Sequence, residues 1–131
     1  MNPTTEKVIR ETAAASLAGS IHFGQVVAAL LEAKVESYHV DYRTKRMTYY
    51  TANGDTLTLE TTADEAEIAL TFSAPGVKQA ILGAQRGEVM YPEFKKLSQA
   101  AGCVGYIVWL TGKHVVYLGR NGENHIEHFP K

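Results

Sequence analysis

One cysteine, four prolines and no long apolar run mark this chain of 131 residues by their scarcity. A single Cys cannot form an intramolecular disulfide or supply a multi-cysteine zinc site. The longest apolar stretch, Val26-Val27-Ala28-Ala29-Leu30-Leu31, falls far short of the ~20 residues that a membrane span needs. Neither sign of charge is in excess: 13 Lys and Arg stand against 14 Asp and Glu, for a net charge of -1. That balance gives no electrostatic footing for nucleic acid or an anionic membrane, so neither is expected as a partner. Met1-Asn2-Pro3-Thr4-Thr5-Glu6 has no basic segment leading into an apolar run, so no secretory signal is seen and a soluble cytoplasmic protein is expected. No Pro-rich linker or low-complexity tract divides the chain. Residues 1–131 are therefore expected to form a single domain, large enough to bury about two-thirds of its unfolded surface.

Hydrophobic residues make up 45% of the chain, enough for a core, and their spacing changes along it. Asn2, Pro3 and Glu6 form a helix start: a capping side chain, Pro in the first turn, an acid near the positive end. Val8, Ile9, Ala13 and Leu17 continue at helical spacing to a stop at Gly19. A second helix carries Phe23, Val26, Val27, Leu30 and Leu31 on one stripe and ends near Lys34. Period two then takes over. Tyr38, Val40 and Tyr42 alternate with Ser37, His39, Asp41 and Arg43, and 44–46 turn the chain. Met47 to Thr51 is rich in Tyr and Thr, Asn53-Gly54 is a tight-turn pair, and Thr56 to Glu60 alternates again. These segments predict a three-stranded antiparallel meander.

A loop is expected over 61–67 and a short extended piece over 68–72. Ser73 caps a third helix with Pro75 in its first turn, with Val77, Ala80, Ile81 and Ala84 as its apolar stripe and Gly87 as its end. Tyr91-Pro92-Glu93 opens a fourth, with Phe94, Leu97 and Ala101 facing inward. Strands are expected over Cys103 to Leu110, His114 to Leu118 and His125 to Phe129, with Asn121-Gly122 as the last tight turn. The order helix, helix, strand, strand, strand thus appears twice. One offset, 68 positions (106 minus 38), brings Gly19 to Gly87, Tyr38 to Tyr106, Lys45 to Lys113, Tyr49 to Tyr117 and Asn53-Gly54 to Asn121-Gly122. The expected fold class is α+β, with duplicated ααβββ units over about 5–60 and 73–128 and helices packed on antiparallel sheet.

Several segments carry a family likeness. These are Gly87-Glu88-Val89-Met90-Tyr91-Pro92-Glu93-Phe94, Ala100-Ala101-Gly102-Cys103-Val104-Gly105-Tyr106, Tyr117-Leu118-Gly119-Arg120-Asn121-Gly122-Glu123 and His125-Ile126-Glu127-His128-Phe129-Pro130, with His22-Phe23 and Tyr38-His39-Val40-Asp41 in the first half. The chain resembles a bacterial domain-of-unknown-function family whose members are often labelled "phage envelope protein" (YbcV-like). Gly24 stands where that likeness would place Pro after the His-Phe pair. The resemblance implies no activity, cofactor or catalytic residue.

His39, Asp41 and Arg43 occupy alternate positions of one predicted strand and are expected on one face. A His beside a carboxylate can serve as a base, and Arg can bind a carboxylate or phosphate. These three residues, with His22 nearby, are the ligand-site candidates. The plain alternative is a solvated sheet face with cross-strand charge pairs. Their counterparts, Ile107, Trp109 and Thr111, are largely apolar. His125 and Glu127 share one strand face and His128 takes the other, so no metal site is expected; no other ligand spacing and no cofactor motif is present. Cys103 follows a helix C-terminus, the wrong end for an activated thiol, and reads as core. Gly119-Arg120-Asn121-Gly122 is turn chemistry without a P-loop Lys, and Ser16, Ser20 and Ser73 lack a nucleophile elbow. The seven Tyr and Trp109 on predicted strands read as cross-strand packing or as a flat aromatic ligand surface. Two functions stay open. One is a non-catalytic small-molecule-binding or protein-interaction module, with a homodimer among its forms. The other is a small enzyme using the His39, Asp41 and Arg43 face.

Overall fold

The computed structural model describes residues 1–61 and 66–130. Asn2 caps the first helix, its side chain accepting from the Thr4 N–H at 2.7 Å, and α1 runs Pro3–Leu17. The chain reverses at Gly19 and enters α2, Phe23–Glu32. The meander follows as β1 (Val35–Asp41), β2 (Arg46–Thr51) and β3 (Thr56–Glu60). The expected loop over 61–67 lies in large part outside the described residues. The segment 68–72 forms no strand; its Ala69 N–H donates to the Gln99 carbonyl at 2.9 Å. Ser73 accepts from the Gly76 N–H and starts α3, Ala74–Gln85, and α4 spans Tyr91–Ala100. The second meander is β4 (Cys103–Trp109), β5 (His114–Gly119) and β6 (Asn124–His128).

The six strands make one antiparallel sheet in the order β3-β2-β1-β4-β5-β6. All four helices lie on one face, an α+β arrangement of two layers. Period-two alternation decides which side chains meet them: Tyr38, Val40, Met47, Tyr49, Tyr106, Val108, Val115 and Tyr117 are buried together with Ile9, Val26, Leu30, Val77, Ile81 and Phe94. The opposite face, bearing His39, Thr48, Tyr50, Ile107, Trp109, Val116 and Ile126, is half-buried or exposed.

Residues at the 68-position offset take matching conformations. The positive-φ residues among those described fall into four pairs: Gly19 and Gly87 (72° and 73°), Lys34 and Gly102 (68° and 84°), Lys45 and Lys113 (61° and 60°), Gly54 and Gly122 (87° and 85°). Register shifts fall at Val35/Ser37 and again at Cys103/Gly105. Strands β1 and β4 pair with Tyr38 opposite Val108 and Val40 opposite Tyr106.

One inward face differs from the expected one. Leu97 of α4 is 41% exposed, whereas Lys95, Ser98 and Gln99 are buried. The reason is local. Ser98 hydrogen-bonds the Tyr42 hydroxyl at 2.8 Å, the Lys95 ammonium lies 5.8 Å from the Tyr42 ring centre, and the 68–73 segment packs along α4 through Gln99 and Ala101. The helix therefore turns its polar side toward the chain that crosses it.

Candidate functional site

The sheet places the sequence-derived candidates in different surroundings. His39 sits on the open face, between Thr48 on β2 and Ile107 on β4. Asp41 ends β1, and its carboxylate accepts from the backbone N–H groups of Arg43 (2.9 Å) and Thr44 (3.2 Å). This is an Asx turn, which stops the strand before Arg43. Arg43 is exposed in the turn rather than in line with His39. His22 precedes α2 on the helix side of the sheet, where its N–H is held by the Gln25 side chain at 2.8 Å. The structure thus brings His39 and Asp41 onto one face and leaves Arg43 and His22 apart from them. Trp109 is exposed at the end of β4, and Thr111 lies in the following turn.

On β6, His125 Nε2 is 3.1 Å from Glu127 Oε1, and Lys78 of α3 donates to both Glu127 oxygens at 2.8 and 2.9 Å. Burial raises the Glu127 pKa, but the hydrogen bonds from Lys78 and His125 outweigh it and hold the carboxyl below its ordinary value. Among the described residues, no group of three or more His, Cys, Asp or Glu is placed to hold a metal ion. Cys103 is fully buried, its thiol donating to the Gly105 carbonyl at 3.2 Å, and burial pushes its pKa up. No helix among the described residues is long and apolar enough to cross a membrane.

A further constellation stands apart from the site residues expected from the sequence. A cavity of about 500 Å³ lies between the helices and the sheet. Its floor is four tyrosines, one from each central strand: Tyr38, Tyr49, Tyr106 and Tyr117. Tyr38 stacks on Tyr49 with ring centres 5.1 Å apart, and Tyr106 lies 5.5 Å from Tyr117. Val26, Ile81 and Phe94 line it from the helices. Exposed His22, Arg86 and His128 stand at its mouth, and Phe23 closes edge-on against Phe129 at 5.9 Å. Most wall positions come in pairs 68 apart, such as Ala13 and Ile81, Val26 and Phe94, Met47 and Val115. The cavity therefore straddles the seam between β1 and β4. Its trace in the sequence is the recurrence of Tyr at inward positions of both meanders, 38 with 106 and 49 with 117.

Burial holds all four phenols above the ordinary phenol range, so they are neutral donors at physiological pH. Arg86 makes no ion pair among the described residues. An apolar chamber of this size with a few polar groups at its floor and rim has the make-up of a site for a small organic molecule.

Fold and site together define a two-layer α+β domain with an aromatic chamber between its layers. The chain belongs to the family described as "Protein of unknown function (DUF1398)", whose model matches residues 11–127. No curated protein matches it.

Proposed function

We propose that this protein is a non-catalytic small-molecule-binding module and that the cavity between helices and sheet is its site. The observation that supports this reading is the chamber of about 500 Å³ floored by Tyr38, Tyr49, Tyr106 and Tyr117. Side chains in cores normally interdigitate with few voids larger than a water molecule, so a space of this size is a cost to stability that a ligand would offset. The matching conformations at the 68-position offset support an internal duplication, with the chamber at the junction of the two copies. The C-terminal segments quoted above support the finer kinship with the YbcV-like proteins; the "phage envelope" label adds no chemistry to the site.

A small enzyme built on His39, Asp41 and Arg43 has less support. None of the three lines the cavity, and the Asp41 carboxylate is engaged by backbone N–H groups. The test is a calorimetric titration with fluorene-2-carboxylate, a flat apolar acid. One molecule should bind per chain and raise the melting temperature. Ala84→Phe, which fills the cavity from α3, should abolish both effects. Unchanged binding to the filled variant would contradict the assignment.

A further inference from the structure

The hydroxyls on the cavity floor differ in what holds them. Tyr106 is hydrogen-bonded to Tyr91. Tyr49 has a long contact, 4.0 Å, to the Met47 sulfur. Tyr38 and Tyr117 are only 3% and 7% exposed, yet no hydrogen bond from the described residues reaches either hydroxyl. The correspondence of the halves explains why. At the position of Tyr91 the first half has Phe23, which cannot bond to Tyr38. At the position of Met47 the second half has Val115, which offers Tyr117 no sulfur.

Nor are these hydroxyls sealed in the packing. Among the described residues, the one enclosed side-chain polar atom without a partner is Gln99 Oε1. Both Tyr38 and Tyr117 line the cavity, so their hydroxyls open into it. Tyr38 on β1 and Tyr117 on β5 flank β4 on the same inward face of the sheet and line the same cavity. Buried polar groups in folded proteins are almost always hydrogen-bonded, and a pair of free donors at the bottom of an apolar chamber asks for an acceptor.

We infer that Tyr38 and Tyr117 form a donor pair that selects a flat, mainly apolar ligand carrying an acceptor oxygen, such as an aryl ketone or quinone carbonyl, at its buried end. This inference rests on the proposed ligand role of the cavity and names the ligand's chemistry. The acceptor takes hydrogen bonds from one or both hydroxyls while the ring system lies against the aromatic floor. A ligand of the same shape without the oxygen leaves those donors unmet, and sites built to hydrogen-bond a group discriminate against analogues that lack it.

The test compares 9-fluorenone-2-carboxylate with fluorene-2-carboxylate, a pair that differs in a carbonyl against a methylene. Calorimetry on the wild-type chain should give about tenfold tighter binding of the ketone. The Tyr38→Phe/Tyr117→Phe double variant should lose the preference and bind the two probes with equal affinity. Each single variant should lose part of the preference, which keeps the test decisive if the double variant fails to fold. Equal affinities in the wild type, or a ketone preference that survives both substitutions, would overturn the donor-pair assignment. If the fluorene acid binds the wild type and not Ala84→Phe while the ketone gains nothing, the cavity reading stands and the donor pair fails. If neither probe binds, both fail.

Discussion

His39 and Ile107 stand opposite each other where β1 pairs with β4, and they lie 107 minus 39, or 68, positions apart, the offset at which the positive-φ residues also match. A local two-fold axis passes between facing residues of an antiparallel pair, and here the positions it relates are 68 apart. The pairs on either side, Tyr38 with Val108 and Val40 with Tyr106, are exchanged by the same axis. The axis puts Tyr38 and Tyr106 symmetrically on the helix side, where they floor the cavity. On the open side it sets a polar half, with His39 and Thr48, against an apolar half, with Ile107, Trp109 and Ile126.

The free and bonded tyrosines should differ in what their hydroxyls do for stability. Tyr42→Phe removes the 2.8 Å bond to Ser98, whose buried hydroxyl keeps only its bond to the Lys95 carbonyl, so it should cost about 1 kcal/mol. Tyr38→Phe removes a hydroxyl with no such bond and should stay within about 0.5 kcal/mol of wild type or gain slightly. Urea denaturation of the two variants makes the comparison.

Positive-φ counterparts with different residues give a second contrast. Lys34 holds φ 68° with a side chain, while at the matching Gly102 a Cβ would collide with the Thr71 carbonyl. Lys34→Gly should stabilise by about 0.5–1 kcal/mol through relief of left-handed strain, less the entropy that Gly adds to the unfolded chain. Gly102→Ala combines strain with a backbone clash and should lose about 3 kcal/mol or more. Thermal unfolding of both variants, with Lys45→Gly as a check, reads these signs.

Acid should act through Glu127. Its pKa is held below the unfolded value by Lys78 and His125, so its contribution is present above the ordinary carboxylate range and is lost as pH falls through the lowered folded value. With Lys78 partly exposed, that contribution should be at most about 1 kcal/mol. Lys78→Met should lower the urea midpoint at pH 7, and the loss should shrink as the pH falls through the lowered folded value.

Cys103 should act as a reporter of unfolding. It is fully buried and its thiol pKa is raised, so reaction with Ellman's reagent at pH 8 should be at least about a thousandfold slower than in 6 M guanidinium. A fast native reaction would place the thiol at the surface.

Much of the fold could be read from the sequence because its punctuation is local. Asn2 and Ser73 cap helices, both Asn-Gly pairs fall in tight turns, and inward Tyr and Val keep strand period. Arg43 was harder: alternation continues through it, but the Asp41 carboxylate captures the next two backbone N–H groups and ends the strand. Leu97 was misplaced because an apolar residue at helical spacing says nothing of which chain crosses the helix. The open face could be divided into polar and apolar halves from sequence, yet the chamber could not. A void is a property of how two layers fail to meet, and single-chain periodicity reports only which residues point toward it.

The most direct test of the chamber as the ligand site is a methyl carbon–proton NMR titration with fluorene-2-carboxylate. The methyl groups of Met47, Val26 and Val115, which line the cavity, should shift saturably along one binding curve, while those of Ile107, Val116 and Ile126 on the open sheet face stay in place. Saturable shifts confined to Ile107, Val116 and Ile126 would move the site to the other face of the sheet and contradict the account.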